Sequence, residues 1–173
     1  MVSALTRLIN DVYRVAEDGL WVTGAARTTV AEVTTLIRAG QVAIGEVDGR
    51  LAGDVVDGRL AGCVRIQELG DGVGEFGMLA VAPGRRGTGL GRELVRFAEQ
   101  TCRDRDCHTM QLELLVPRDW THPSKQFLDD WYTRIGYEPV RIARIEESYP
   151  DLTPLLACAC DFVIYRKSLG LVL

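Results

Sequence analysis

Residues 75 to 99, Glu-Phe-Gly-Met-Leu-Ala-Val-Ala-Pro-Gly-Arg-Arg-Gly-Thr-Gly-Leu-Gly-Arg-Glu-Leu-Val-Arg-Phe-Ala-Glu, restrict the fold more than any other part of this 173-residue chain. Phe76 to Val81 is a short apolar run closed by Pro83 and Gly84, which reads as a buried strand. From Gly89 the apolar positions Leu90, Leu94, Val95, Phe97, Ala98 and Cys102 recur at helical spacing, and Arg92, Glu93, Arg96 and Glu99 fall between them, so an amphipathic helix is expected. Arg86-Gly-Thr-Gly-Leu-Gly91 joins the two. Its glycines let the backbone bend tightly, and the first amides of the helix have no partner inside it. With the positive end of the helix dipole and the charges of Arg85 and Arg86, this turn is built for a phosphate or pyrophosphate.

Other phosphate binders are excluded by what is missing. A Walker loop needs Lys-Ser/Thr after its glycines, and no Lys follows here. The only literal Gly-x-Gly-x-x-Gly, at Gly72, Gly74 and Gly77, enters a strand, whereas the dinucleotide fingerprint opens a helix. What remains is Arg-x-x-Gly-x-Gly at Arg86, Gly89 and Gly91 behind Met-Leu-Ala-Val-x-Pro. It resembles the coenzyme A signature of the GCN5-related N-acetyltransferase (GNAT) family.

The rest of the chain reads in the same order of elements. Leu5, Leu8, Ile9, Val12, Tyr13 and Ala16 give one apolar helix face over residues 4 to 17. Thr29 and Glu32 form a capping box for a second helix that Gly40 ends. Strands are expected at 41–47, 60–68, 109–116, 138–145 and 161–167, with a last helix over 124–135 that Gly136 terminates. Val-Asp-Gly-Arg-Leu-Ala-Gly occurs twice, at 47–53 and 56–62. Two Asp-Gly turns compete, so either one copy loops out or three strands meander through both. With no low-complexity linker, residues 1–173 form one domain.

Composition narrows the function classes. A net charge of -4 gives no basic field for nucleic acid and suits a cationic or amine substrate. No signal peptide or membrane span is visible, so no membrane partner is expected. Cys63, Cys102, Cys107, Cys158 and Cys160 are an odd number without paired metal spacing, which favours free thiols in a reducing cytoplasm and no metal.

A second motif strengthens the resemblance: Trp131-Tyr-Thr-Arg-Ile-Gly-Tyr137 is similar to the family's aromatic-Tyr-x-x-x-Gly-Phe/Tyr pattern. The resemblance implies an α/β (α+β) fold, a mostly antiparallel sheet splayed at one parallel pair and flanked by about four helices, and transfer of acetyl from acetyl-CoA to a primary amine through a tetrahedral intermediate. It implies that Leu79, Ala80 and Val81 meet the pantetheine arm with their backbone, that Arg86, Gly87, Thr88, Gly89, Leu90 and Gly91 wrap the pyrophosphate, and that an amide near Leu79 or Ala80 stabilises the oxyanion. Tyr132 matches the family's general acid. An amine with a pKa near ~10 must lose a proton before it attacks; Glu75 is the candidate base and Glu113 the reserve. Trp120 and His122, with Trp21, are placed near the acceptor, a small molecule or a peptide.

The chain also departs from the pattern. Relatives commonly begin with a strand, absent here, and the extra Asp-Gly hairpin is expected to supply a replacement edge. The missing strand and the resemblance together point to a possible homodimer. Lys125 stands where relatives often have Asn, from which it could reach a cofactor phosphate. The alternative function is a non-catalytic acyl-CoA-binding sensor or regulatory domain.

Overall fold

The computed structural model describes residues 1–46, 51–52 and 60–170. Two amphipathic helices lead: α1 (Val2–Ala16) buries Leu5, Ile9 and Val12, and α2 (Val30–Arg38) starts where the Thr29 side chain accepts from the Glu32 amide at 3.1 Å. The Thr29 half of the capping box forms, while the Glu32 carboxylate accepts from the Thr28 hydroxyl at 2.7 Å. Strands β1 (Val42–Glu46), β2 (Leu51–Ala52), β3 (Leu60–Gly70) and β4 (Val73–Val81) follow, and a 3-10 turn at Pro83–Arg85 leads to α3 (Leu90–Arg103). Then come β5 (Thr109–Pro117), α4 (Pro123–Arg134), β6 (Glu138–Arg144), a single helical turn α5 (Ile145–Ser148), a 3-10 segment at Pro150–Leu155, and β7 (Cys160–Ser168).

Among the described residues seven strands form one sheet in the order β2-β1-β3-β4-β5-β7-β6. Every neighbouring pair is antiparallel except β4 and β5. Helices cover both faces. On one side α3 and α4 pack Leu94, Val95, Ala98 and Tyr132 against Phe76, Met110 and Leu112; on the other, α1 and α2 pack Leu5, Ile9 and Val33 against Ile44, Cys63 and Met78. Leu94 is fully buried in the first layer. Leu94→Ala is expected to destabilise the fold by about 2–5 kcal/mol, read as a lower urea midpoint with an unchanged m-value.

Among the described residues α1 begins at Val2, and the outermost sheet position is taken by β2, paired to β1 through Ile44 with Ala52 and Gly45 with Leu51. The rest of the segment from which a replacement edge is expected lies outside the described residues. The turns of both copies, at 47–50 and 53–59, lie outside the described residues. No helix among the described residues is long and apolar enough to cross a membrane.

Two features of β4 position the site. Its pairing with β5 covers only Val73 with Thr109, Gly74 with Met110 and Glu75 with Gln111; beyond this β5 continues beside β7 to Pro117 and β4 beside β3 to Val81. From Phe76 onward the β5-facing edge of β4 thus has no strand partner. The register with β3 also slips by one residue between Gly77 and Ala80, where Met78 takes a φ of 48°. An extra residue on one strand bends it and raises its twist, and this bulge lies just beyond the last pair with β5.

Candidate active site

The open edge leads directly into the glycine turn. Gly89, the residue before α3, has a φ of 91°, a conformation that a side chain strains, and no side chain caps the helix. The amides of residues 87 to 92 find no acceptor in the protein among the described residues; the next amide, that of Glu93, donates to the Gly89 carbonyl at 3.1 Å. Consecutive unmet N–H groups at the head of a 14-residue helix form an anion cradle. It is open, since a Cβ placed on Gly87 or Gly89 meets no atom within 4 Å. Arg86 is exposed beside it, and the Thr88 hydroxyl donates to the Arg85 carbonyl at 2.7 Å and fixes the turn. Leu90 is buried and anchors the helix, while its amide stays in the cradle.

The second motif converges on the same place. A Cβ on Gly91 would lie 3.7 Å from Val81 Cγ2 and 3.9 Å from Trp131 Cη2, so the end of β4, the head of α3 and α4 meet there. Tyr132 sits in an aromatic cluster, its ring centroid 6.0 Å from Phe76, 6.2 Å from Tyr137 and 6.2 Å from Tyr165. Tyr137 and Tyr165 spend their hydroxyls on Glu99 at 2.9 Å and Asp129 at 2.5 Å, whereas the Tyr132 hydroxyl has no protein partner among the described residues. The residue as a whole is 6% exposed. Burial raises its pKa well above that of a free phenol, which keeps the proton in place.

Glu75 is 5% exposed and accepts from three donors: Arg65 Nη2 at 2.9 Å, Gln67 Nε2 at 2.7 Å and Gln111 Nε2 at 3.1 Å. Gln111 is itself held by Arg166 Nε at 2.9 Å. Glu113, two residues along β5 on the face of Gln111, is half-buried and accepts one hydrogen bond, from the Tyr149 hydroxyl at 2.7 Å. Burial, reinforced by the charge of Glu75, raises its pKa from the ordinary 4.5 and outweighs the hydrogen bond from Tyr149. The sequence shows these partners only as polar residues alternating with apolar ones, Arg65 and Gln67 around Ile66, Gln111 and Glu113 around Leu112. Their convergence on Glu75 depends on the strand register.

The Lys125 charge is paired within the protein. Its ammonium is buried and donates to Glu17 Oε1 at 2.7 Å, while Trp21 Nε1 donates to the other oxygen at 2.6 Å. The pair forms because the C-terminus of α1 delivers a carboxylate to the first turn of α4. His122 caps α4, its Nδ1 accepting from the Ser124 amide at 3.2 Å and its Nε2 lying 2.9 Å from the Asp18 carbonyl. Trp120, His122, Lys125, Asp129 and Tyr165 line a cavity of about 190 Å³. The segment after α1 and the segment before β7 are joined by a bridge between Trp21 and Leu156, with the Val22 amide on the Leu155 carbonyl at 2.8 Å.

The model of the acetyltransferase (GNAT) family matches residues 27–137, more than half of the chain. The chain belongs to the GNAT family. No curated protein matches it in sequence. Solved structures share its fold at low identity. The ribosomal-protein-alanine N-acetyltransferase of Brucella melitensis is 15% identical over 96% of this chain and 93% of its own, with a TM-score of 0.62. Rv2747 of Mycobacterium tuberculosis, solved with CoA, is 13% identical over 98% and 96%, with a TM-score of 0.63. An aminoglycoside 6'-N-acetyltransferase complexed with coenzyme A is 16% identical over 96% and 92%, with a TM-score of 0.62. This GNAT chain therefore has both halves of the family's architecture, the splayed parallel pair and the glycine turn.

Proposed function

We propose that this GNAT protein transfers the acetyl group of acetyl-CoA to the nitrogen of a primary amine. The observation that carries the reading is the run of unmet amides at residues 87 to 92, continuous with the unpaired edge of β4. A pyrophosphate fits the amides, and an extended pantetheine arm fits the edge as an added strand would, along Leu79, Ala80 and Val81. Membership of an acetyltransferase family and the CoA in the solved relatives support the same ligand.

The chemistry then has named parts. The amine must be neutral to attack, and Glu113 takes its proton, directly or through a water, because it combines a raised pKa with uncommitted lone pairs. Glu75, held by three donors, is less suited as a base and instead fixes the strands from which the cleft opens. As the N–C bond forms, an amide near Leu79 or Ala80, beyond the bulge at Met78, stabilises the oxyanion of the tetrahedral intermediate. The C–S bond breaks, and the Tyr132 hydroxyl donates its proton to the departing thiolate. Five free thiols support a reducing compartment, the cytoplasm, as the place of reaction.

Calorimetric titration with acetyl-CoA, followed by thiol release against a panel of amines, tests the reading. Amine-dependent release is the expected result; acetyl-CoA binding without release for any amine would favour a sensor of acyl-CoA instead. Gly89→Val is expected to weaken acetyl-CoA binding by about 10- to 100-fold, since a β-branched residue at a φ of 91° strains the turn that aims the amides. An unchanged Kd in that variant would show that the cradle is not the cofactor site.

A further inference from the structure

The Cys158-Ala-Cys160 segment at the head of β7 brings two thiols into contact, and neither has a part in the proposed acetyl transfer. Positions i and i+2 of an extended chain point the same way. Here Cys158 Sγ lies 3.7 Å from Cys160 Sγ, and Cys160 Sγ also donates to the Cys158 carbonyl at 3.5 Å. A disulfide needs about 2.0 Å between its sulfurs, so the pair stands about 1.7 Å short of a bond. Both ends of the segment are pinned. Ahead of it the Val22 amide donates to the Leu155 carbonyl at 2.8 Å and the Ala157 amide to the Leu20 carbonyl at 2.9 Å; behind it Cys160 pairs with Pro117 of β5. Thiols held side by side in this way react as one unit, without a search through the conformations of the chain.

Their surroundings set the order of reaction. All five cysteines lie among the described residues, and Cys158 is the one that is not buried. Cys160 is fully buried among Leu20, Leu115 and Ile145, and burial pushes its thiol up from the ordinary 9.0, which keeps the proton on the sulfur. A small oxidant arriving from solvent therefore meets Cys158 first and has Cys160 directly behind it. Cys63, Cys102 and Cys107 are buried in the two helix-covered faces of the sheet and beside them.

We propose that Cys158 and Cys160 form a reversible oxidation site for a hydroperoxide, with hydrogen peroxide as the simplest member of that class. The Cys158 thiolate attacks one peroxide oxygen, the O–O bond breaks and hydroxide leaves, which gives a sulfenic acid on Cys158. The Cys160 sulfur then attacks the Cys158 sulfur: the S–S bond forms, the S–O bond breaks, and the departing hydroxide takes the Cys160 proton as water. The first hydroxide takes the proton that Cys158 released. In sum two thiols and one peroxide become one disulfide and two waters, sulfur being oxidised and peroxide oxygen reduced. Exchange with a low-molecular-weight thiol returns the pair to its reduced form. The oxidation needs no acetyl-CoA.

The test exposes the full-length protein to hydrogen peroxide, quenches with catalase, alkylates the remaining thiols under denaturing conditions and maps tryptic peptides. Residues 145 to 166 form a single tryptic peptide that holds both cysteines. It is expected to become lighter by a pair of hydrogen atoms, to resist alkylation and to take both labels again after dithiothreitol, while Cys63, Cys102 and Cys107 stay alkylated. Cys160→Ala is expected to stop at the sulfenic acid, which dimedone traps on Cys158, and Cys158→Ser to leave Cys160 a free thiol after the same exposure. The urea midpoint of each variant reports whether its fold is intact; if Cys160→Ala does not fold, the wild-type peptide and Cys158→Ser decide. Alkylation of both cysteines in the peroxide-treated wild type overturns the inference. So does a sulfinic or sulfonic acid on Cys158 beside a free Cys160, a disulfide to another cysteine or another molecule, or oxidation of Cys160 that is undiminished in Cys158→Ser.

Discussion

Glu113→Gln is expected to lower kcat by about 10²- to 10⁴-fold, the range for removing a positioned general base, with the Kd for acetyl-CoA unchanged. The pH profile supplies the sign. A carboxylate accepts a proton only when ionised, so in the wild type kcat/KM falls as pH drops through the Glu113 pKa, which burial places above the ordinary 4.5. The variant loses this acidic limb along with its rate. Glu75→Gln differs in kind, because Arg65, Gln67 and Gln111 all donate to that carboxylate and replacing it leaves a guanidinium without its counter-charge. Its loss should appear in stability as well as in rate. A wild-type limb retained in Glu113→Gln would return the base to Glu75 or to a water.

Lys125→Met is expected to destabilise the protein by about 3–5 kcal/mol, the usual consequence of removing one member of a buried ion pair, and to leave the Kd for acetyl-CoA unchanged. Glu17 and Lys125 have side chains only 5% and 6% exposed, so the remaining carboxylate keeps Trp21 Nε1 as its one partner in a dry place. The double variant Glu17→Leu with Lys125→Met should recover most of the loss, since apolar groups of similar volume often replace a buried pair without cost. Urea midpoints of the two single variants and the double variant measure the coupling. A several-fold loss of acetyl-CoA affinity in a stable Lys125→Met protein would instead give Lys125 the phosphate contact that the ion pair with Glu17 denies it.

Glu75 and Lys125 mark how far local sequence reaches. Elements with strong local signals appear where expected: the N-cap at Thr29, the glycine stops at Gly40 and Gly136, and the helix from Leu90. Local signals suffice there because caps and periodicity act within a few residues of chain. Glu75 and Lys125 were assigned from their places in motifs, but the groups that set their chemistry come from elsewhere: Arg65 from β3, Gln111 from β5, Glu17 from α1. A side chain's protonation and availability depend on such neighbours, and no local pattern announces them.

By itself the sequence determined the order of elements, the strand-turn-helix with its free amides and the aromatic motif on α4, because spacing, glycine and proline act through the local backbone. The tertiary structure decided how far β4 and β5 stay paired, that β2 closes the sheet edge, that Glu75 is engaged by three donors while Glu113 keeps free lone pairs, and that Lys125 is spent on Glu17. The physical reason is range: hydrogen bonds and ion pairs between residues 36 and 108 positions apart exist only once the sheet and its two helical layers have closed.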